Sequence, residues 1–321
     1  MNPMASPPLL PPGLQGRKGL VLGLANEHSI AWGCARLAHA LGAELVASCL
    51  NAKARPYVEP LTAPLGIDLV ECDVEAQGQL EALVAHAAAR LGELDFVIHS
   101  IAWAPLQDLH GKVADSSREG FARAMGVSCH SFAELARLCA PHMPRGGSML
   151  AMSYLGAEEA VPHYGLMGPV KAALESMVRY LALELGPRNI RVHAVSPGPI
   201  PTRAASGIAG FDSLMATAQA KAPLGRLVTL DEIAQLCAFL VLSKYALQDH
   251  RAPPSPRCTA GHHPRLLLSW NDAQNMHTQS SSKGDARKHA LPCQRVRIDP
   301  AGLLRAAQHQ GLLLRRYLRY A

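Results

Sequence analysis

Apolar and polar residues follow two alternating patterns along the first three quarters of the chain. Short, continuous apolar runs are typical of buried strands, and apolar residues three or four positions apart are typical of helices. The continuous runs predict six strands, at residues 19–24, 44–50, 67–72, 94–101, 148–153 and 190–196.

Helical spacing fills the intervals between these runs. The first helix, for example, has an apolar stripe at Ile30, Cys34, Leu37 and Leu41. The spacing predicts helices at about 30–41, 55–64, 76–91, 117–140, 163–186, 211–221 and 230–243. Strands that alternate with helices in this way form a parallel sheet covered on both faces. The predicted fold class is therefore α/β, a doubly wound, Rossmann-like parallel sheet.

The alternation of strands and helices stops after Ala246, and the balance of basic and acidic residues changes at the same point. Residues 247–321 contain 12 Lys/Arg and 4 Asp/Glu, whereas residues 1–246 contain 19 and 21. The formal net charge of +6 thus arises in the tail, and the folded part offers no basic surface for nucleic acid. We predict a disordered, Pro-rich leader at 1–16, a folded domain at 17–246 and a poorly ordered basic tail at 247–321.

Composition narrows the class of protein. The chain is 49% hydrophobic, but no apolar run approaches the length of a membrane-spanning helix. The N-terminus lacks the pattern of a secretory signal. Eight cysteines form no C-x-x-C pair and lie mostly in apolar stretches, so we expect buried thiols in a reducing cytoplasm. Since His28, His99 and His163 lie on different predicted elements, we expect no metal site.

The turn after the first strand has features of a phosphate-binding loop. It reads GLANEHSIAWG from Gly23 to Gly33. Small residues at Gly23 and Ala25 let backbone amides approach a pyrophosphate, and Ser29 can cap the following helix. The G-x-G-x-x-G string is absent, so a tight turn without a ligand remains an alternative.

Two tyrosines and a lysine form the second candidate group. Tyr164 and Lys171 are separated by six residues, and Tyr154 lies ten residues before Tyr164. On a helix this spacing is nearly two turns, which places Tyr164 and Lys171 on one face. We expect the ammonium group to lower the pKa of the phenol. The tyrosine could then donate to a developing oxyanion, while the lysine holds ribose hydroxyls of a nicotinamide cofactor. The alternative is a half-buried tyrosine and a surface lysine.

Five segments occur in an order that resembles a known family. They are GLANEHSIAWG (23–33), ECDV (71–74), HSIAWAP (99–105), MSYLGAEEAVPHYGLMGPVKAALES (152–176) and SPGPIPTRAASGI (196–208). Together they resemble the NADH-dependent enoyl-acyl-carrier-protein reductases of bacteria, members of the short-chain dehydrogenase superfamily, over residues 17–246. Ordinary short-chain dehydrogenases have Tyr-x-x-x-Lys with a serine 13 residues earlier. This chain has no such spacing and has Ala151 at that position, which favours enoyl reductases over ketone reductases.

The resemblance implies reduction of the trans-2 double bond of an enoyl thioester in cytoplasmic fatty-acid synthesis, by a homotetramer. It implies that Tyr164 supports the enolate, that Lys171 binds the cofactor ribose and that Tyr154 lines the acyl pocket, although Tyr154 could have a packing role alone. The implied cofactor contacts are Gly23, Ser29 and Ile30 at the pyrophosphate, Asp73 and Val74 at adenine, Ser100, Ile101 and Ala102 along the nicotinamide ribose, and Ile200 and Thr202 over the nicotinamide.

The choice of cofactor depends on the residues after the second strand. These are Leu50, Asn51, Ala52 and Lys53, with no acidic residue to pair ribose hydroxyls and no arginine to meet a 2′-phosphate. The resemblance implies NADH, with Asn51 among its contacts, while Lys53 leaves NADPH as the less favoured alternative. The lid-like segment 203–226 has few basic residues for an acidic carrier protein. An enoyl-coenzyme A thioester therefore remains an alternative substrate.

The resemblance ends where the family has a seventh strand and a Gly-rich, Asp-containing segment. Here Lys244–Arg251 reads KYALQDHR, and we predict that the last strand is lacking. One hypothesis is a reading-frame change: GAT-CAC-CGG can encode Asp249-His250-Arg251, and its shifted frame begins ATC-ACC-GG, for Ile-Thr-Gly. Sequencing the coding DNA around codons 240–260 tests it. A non-catalytic chain that keeps the fold therefore remains a second function class.

Overall fold

The structure is a computed structural model that describes residues 13–202, 207–208, 210–242 and 268–269. Its centre is one parallel sheet with the order β3-β2-β1-β4-β5-β6-β7. All six predicted strands are present, within two residues of the predicted bounds. They are β1 Lys18–Leu24, β2 Glu44–Cys49, β3 Asp68–Glu71, β4 Phe96–His99, β5 Gly147–Met152 and β6 Ile190–Ser196.

Helices cover both faces of the sheet, as predicted for a doubly wound fold. Those described are α1 Ile30–Ala40, α2 Arg55–Thr62, α3 Gln79–Leu91, α4 Leu106–His110, α5 Arg118–Met125, α6 Ser131–Cys139, α7 Met167–Leu185, α8 Phe211–Lys221 and α9 Leu230–Leu242. One buried cluster lies between the sheet and α3, α6 and α7, and the other lies under α1, α2 and α9. Strand order reverses at β1, so the carboxyl ends of β1 and β4 flank a crevice suited to a nucleotide.

Two helix predictions were wrong in detail. The predicted helix 117–140 is interrupted by a π-helical turn at Gly126–His130, where the Ser131 hydroxyl donates to the Val127 carbonyl (2.6 Å). The predicted helix 163–186 begins only at Met167. His163 and Gly165 have φ angles of 64° and 49°, which an α-helix does not accommodate. Tyr164 therefore lies in the turn before α7.

The C-terminal side of the sheet also differs from expectation. A two-residue strand β7, Leu268–Ser269, pairs in parallel with Val195 and Ser196 at the end of β6. The sheet thus has the six predicted strands, with this two-residue pairing added at the end of β6. Apart from 268–269, the predicted basic tail lies outside the described residues. The segment Lys244–Arg251 lies outside them as well.

The described part of the chain begins inside the predicted leader. Leu14 is fully buried, and its N–H group donates to the Leu41 carbonyl at 3.1 Å. An apolar side chain inside the predicted leader thus packs under α1. The boundary at residue 17 stays a prediction, and residues 1–12 lie outside the described part. In the described part, six cysteines are buried and free, no helix is long and apolar enough to cross a membrane, and no cluster of potential metal ligands occurs.

Candidate active site

The end of β1 closely approaches the end of β4, just before the turn that leads to α1. Gly23 has a φ angle of 95°, and a Cβ there would lie 2.3 Å from the Ser100 carbonyl oxygen. Only glycine fits this position without displacing the backbone. Ser29 caps α1, since its Oγ accepts from the Trp32 amide (3.4 Å) and from the Ala25 amide (3.4 Å). Of the predicted pyrophosphate residues, Gly23 thus lies near the end of β1, and Ser29 and Ile30 lie at the start of α1.

The end of β4 places a buried histidine before the predicted nicotinamide-ribose stretch Ser100–Ala102. His99 is 1% exposed, and its Nε2 lies 2.8 Å from Ser131 Oγ. Burial, and then the Lys171 charge, lower the pKa of His99 to about 3. The imidazole is therefore neutral at physiological pH.

The end of β5 is tied to α7 by two buried contacts. Lys171 Nζ donates to the Met152 carbonyl at 2.6 Å, and Ser153 Oγ donates to Glu175 Oε1 at 2.5 Å. Sequence reasoning missed Ser153 and Glu175. The four-residue spacing of Lys171 and Glu175, one turn apart on α7, was the available signal. These contacts hold the backbone that carries Tyr154 close to Lys171.

Tyr154 and Tyr164 pack directly against each other. Their ring centroids are 4.7 Å apart and the rings are inclined at 54°. Tyr164 is 7% exposed and rests on Gly156, where an added Cβ would lie 2.3 Å from Tyr164 Cδ1. The Tyr pair and Lys171 are the predicted catalytic residues, and the structure brings all three to the end of β5.

The electrostatics of this group differ from expectation. Desolvation, followed by Tyr154 and Glu175, raises the pKa of Tyr164 well above its usual value. The prediction that Lys171 lowers the pKa of Tyr164 was wrong, because burial dominates and the two neighbours that act on the phenol, Tyr154 and Glu175, raise the pKa further. Tyr164 therefore stays protonated and remains a hydrogen-bond donor. Burial lowers the pKa of Lys171 to about 8, while the negative potentials of Cys129 and Glu175 oppose the shift.

The predicted adenosine contacts lie beyond β2 and β3. Asn51 Oδ1 accepts from the amides of Lys53 (3.1 Å) and Ala54 (3.2 Å), so its side chain caps this turn. Asp73 follows β3, and its Oδ1 accepts from the Glu75 amide at 3.0 Å. Its neighbour Val74 packs half-buried against the core. Asn51 and Asp73–Val74 thus border the same edge of the sheet.

An arginine near this edge was overlooked. Residues 50–53 contain none, but Arg55 begins α2 and its Nε lies 2.7 Å from Glu71 Oε1, on the last residue of β3. The expectation that residues 50–53 offer no arginine to a 2′-phosphate stays a prediction, and Arg55 is a further arginine near this edge of the sheet.

The loop after β6 completes the crevice. Ile200 is 6% exposed, and the Thr202 amide donates to its carbonyl at 2.8 Å. A cavity of about 330 Å³ lies beside this loop. Its lining comprises His28, Ile200, Pro201, Val228, Thr229, Leu230 and Asp231. The cavity adjoins the start of α1 and does not include the tyrosine pair. Of the lid-like segment 203–226, residues 203–206 and 209 lie outside the described part.

These features fit a nicotinamide dinucleotide. Gly23 lets the end of β1 lie directly against the Ser100 carbonyl after β4, and the start of α1 favours a pyrophosphate. An ammonium group has three donors, and the Met152 carbonyl takes one of those of Lys171. The fold and site together define an oxidoreductase of the short-chain dehydrogenase type, with a Tyr–Lys pair at the end of β5.

Comparison with known proteins defines the family. A model of the enoyl-(acyl carrier protein) reductase family matches residues 23–246. Enoyl-acyl-carrier-protein reductase (NADH) 2 of Rhizobium meliloti is 42% identical over 229 residues, which cover 71% of this chain and 85% of that protein. Enoyl-acyl-carrier-protein reductase (NADH) FabI of Escherichia coli is 41% identical, with coverages of 71% and 87%.

Solved structures that resemble this chain belong to the same family. The enoyl-(acyl-carrier-protein) reductase of Anaplasma phagocytophilum in complex with NAD matches with a TM-score of 0.68 and 40% identity, covering 71% of this chain and 88% of that chain. The enoyl-acyl-carrier-protein reductase (NADH) of Aquifex aeolicus matches with a TM-score of 0.69 and 39% identity, with coverages of 71% and 90%. This chain belongs to the enoyl-acyl-carrier-protein reductase family.

Proposed function

We propose that this chain is an NADH-dependent enoyl-thioester reductase of fatty-acid synthesis, which reduces the trans-2 double bond of its substrate. The observation that carries the proposal is the packing of Tyr154 on the buried Tyr164, beside Lys171, at the edge of the sheet where Gly23 meets Ser100. The names of its relatives support both the reaction and the cofactor. When bound, NADH supplies the hydride.

The side chains of the site act on the thioester carbonyl and on the cofactor ribose. The protonated Tyr164 phenol donates to the carbonyl oxygen as negative charge develops there, and its low-dielectric surroundings strengthen that hydrogen bond. Tyr154 fixes the Tyr164 ring by packing and lines the acyl pocket. Lys171 holds the ribose hydroxyls.

The remaining contacts follow the geometry of the crevice. We assign Gly23, Ser29 and Ile30 to the pyrophosphate, Asn51, Asp73 and Val74 to the adenosine, and Ser100, Ile101, Ala102, Ile200 and Thr202 to the nicotinamide nucleoside. These assignments rest on the positions of the residues after the ends of β1 to β6 and on the family. Lys53 keeps NADPH as the weaker cofactor in this proposal.

The substrate is an enoyl-acyl-carrier protein, with enoyl-coenzyme A as the alternative. We also propose that the chain forms a homo-oligomer, a tetramer as the family resemblance implies. Large apolar side chains on α5 and α7 are exposed in the single chain, with Phe121 at 39%, Tyr180 at 65% and Leu183 at 55%, which supports contact between copies. The six free, buried cysteines of the described part support a cytoplasmic location.

A comparison of two thioesters tests the reaction. We expect the purified chain to oxidise NADH with crotonyl thioester, and to do so faster than with acetoacetyl thioester. The reason is that Ala151, buried at the end of β5, has no hydroxyl with which to bind a ketone. Loss of cofactor absorbance measures both rates. Faster turnover of the keto substrate would favour a ketone reductase, and no turnover of either would favour a non-catalytic chain.

Gly156→Ala tests the placement of Tyr164. The added Cβ would lie 2.3 Å from Tyr164 Cδ1, so the ring must move. We expect kcat with crotonyl thioester to fall about 10- to 100-fold, as misplacement of a catalytic group by about 1 Å can do. Gly126→Ala is the matched control, because a Cβ there meets nothing within 4 Å. Equal activity of the two variants would contradict the role of Gly156.

A further inference from the structure

The edge of the sheet at β2 and β3 holds an ion pair that the proposed mechanism does not use. The two strands end together, with Cys49 of β2 paired in register with Glu71 of β3. Asn51 caps the turn that follows β2, and α2 then begins at Arg55. The chain thereby returns the Arg55 side chain to the end of β3, two residues before Asp73.

The guanidinium group of Arg55 is held by three acceptors. Its Nε donates to Glu71 Oε1 at 2.7 Å, its Nη1 to Glu59 Oε1 at 3.0 Å and its Nη2 to the Leu69 carbonyl at 3.1 Å. Acceptors on β3 and on α2 thus fix the planar group from two sides. Its charge is offset by two carboxylates.

This arrangement of charges should affect the binding of NADH and the binding of NADPH differently. They differ at the adenosine ribose, where NADPH has a 2′-phosphate and NADH has a neutral hydroxyl. A 2′-phosphate needs a cation, and arginine is the side chain best suited to bind it. Here the nearby arginine is already paired, and the carboxylates of Glu71, Glu59 and Asp73 repel added negative charge. Lys53 is the other cation on this turn, and it is exposed.

We propose that Glu71 is a specificity-determining residue: by holding Arg55 at the end of β3, it selects NADH and disfavours NADPH. This inference rests on the proposed function, because it assumes that the adenosine lies at this edge. It assigns to Glu71 and Arg55 a role in cofactor choice that is separate from the chemistry at Tyr164.

Glu71→Gln provides the test. It removes the carboxylate charge and keeps the shape of the side chain, and since the Arg55 and Glu71 side chains are 31% and 37% exposed, the loss of their ion pair has a small effect on folding. Calorimetric titration with NADH and with NADPH measures both affinities without turnover. We expect NADPH affinity to rise about 10-fold, the effect of one charge-assisted hydrogen bond, while NADH affinity stays near wild type.

Two further variants separate the possible causes. Glu71→Gln combined with Arg55→Leu should return NADPH affinity to the wild-type value, because Arg55 supplies the gain. Glu44→Gln is the matched control, since Glu44 is an exposed glutamate at the opposite end of β2, and it should leave the ratio unchanged.

The outcomes distinguish this inference from the proposed function. Unchanged NADPH affinity in Glu71→Gln, with NADH still bound, would overturn the role of Glu71 and leave the reductase intact. A gain that persists without Arg55 would overturn it too. If wild-type protein binds neither cofactor, the proposed function itself is wrong, and the inference falls with it.

Discussion

Tyr164→Phe is expected to lower kcat with crotonyl thioester about 10- to 10³-fold, in the range found when one oxyanion donor is removed. The physical reason is that the phenol acts on charge that develops in the transition state, so its loss affects turnover more than binding. The raised pKa keeps that proton on Tyr164 across the physiological range. NADH affinity, measured by titration, should stay close to wild type.

Two other tyrosines make this experiment specific. Tyr180 on α7 is 65% exposed and lies outside the site, so Tyr180→Phe is the matched control and should keep wild-type kcat. Tyr154→Phe removes a hydroxyl but keeps the ring that packs against Tyr164. We expect a smaller loss there than in Tyr164→Phe. Unchanged turnover of Tyr164→Phe would remove Tyr164 from the mechanism.

The central strands of the sheet were accessible to sequence reasoning because they are buried on both faces. Val97 and Ile98 of β4 are almost completely buried, as are Leu20 and Val21 of β1. Such strands must be apolar throughout, so they appear as continuous runs in the sequence. The two-residue β7 was not predicted, because its pairing with β6 depends on the sheet already present.

Helix interruptions were harder to predict because their causes are tertiary. The π turn at Gly126–His130 accompanies hydrogen bonds that join Ser128 to the backbone of Trp103, 25 residues away. The start of α7 is delayed by the positive φ of His163, an uncommon conformation for a residue other than glycine. Neither feature changes the apolar spacing from which the helices were predicted.

The candidate site was predicted as a set of residues, but its electrostatics were not. Spacing and family resemblance point to Tyr154, Tyr164 and Lys171, and the structure places them together. The pKa shifts depend on how much water each group loses, which a sequence does not contain. The pairing of Arg55 with Glu71 was not predicted either, because it depends on how the chain after β2 returns to the end of β3.

Lys171→Met is expected to weaken NADH binding about 10- to 100-fold, the effect of losing hydrogen bonds from a charged group. Methionine has nearly the same length and no charge. Replacing a buried ammonium by an apolar side chain also removes a desolvation penalty, so the fold should persist. Thermal melting of the variant checks this point, and calorimetric titration at pH 7 gives the affinity.

The same residue predicts a pH dependence with a defined sign. The pKa of Lys171 is about 8, so the ammonium form dominates below that pH and is lost above it. NADH affinity should therefore fall as the pH rises from 7 to 9. His99, with a pKa of about 3, stays neutral over this range, and the raised pKa of Tyr164 keeps that phenol protonated. Lys171→Met should show no such fall, because the titrating group is gone. A wild-type affinity that is constant from pH 7 to 9, or an identical decline in the variant, would show that the ammonium group of Lys171 does not hold the cofactor.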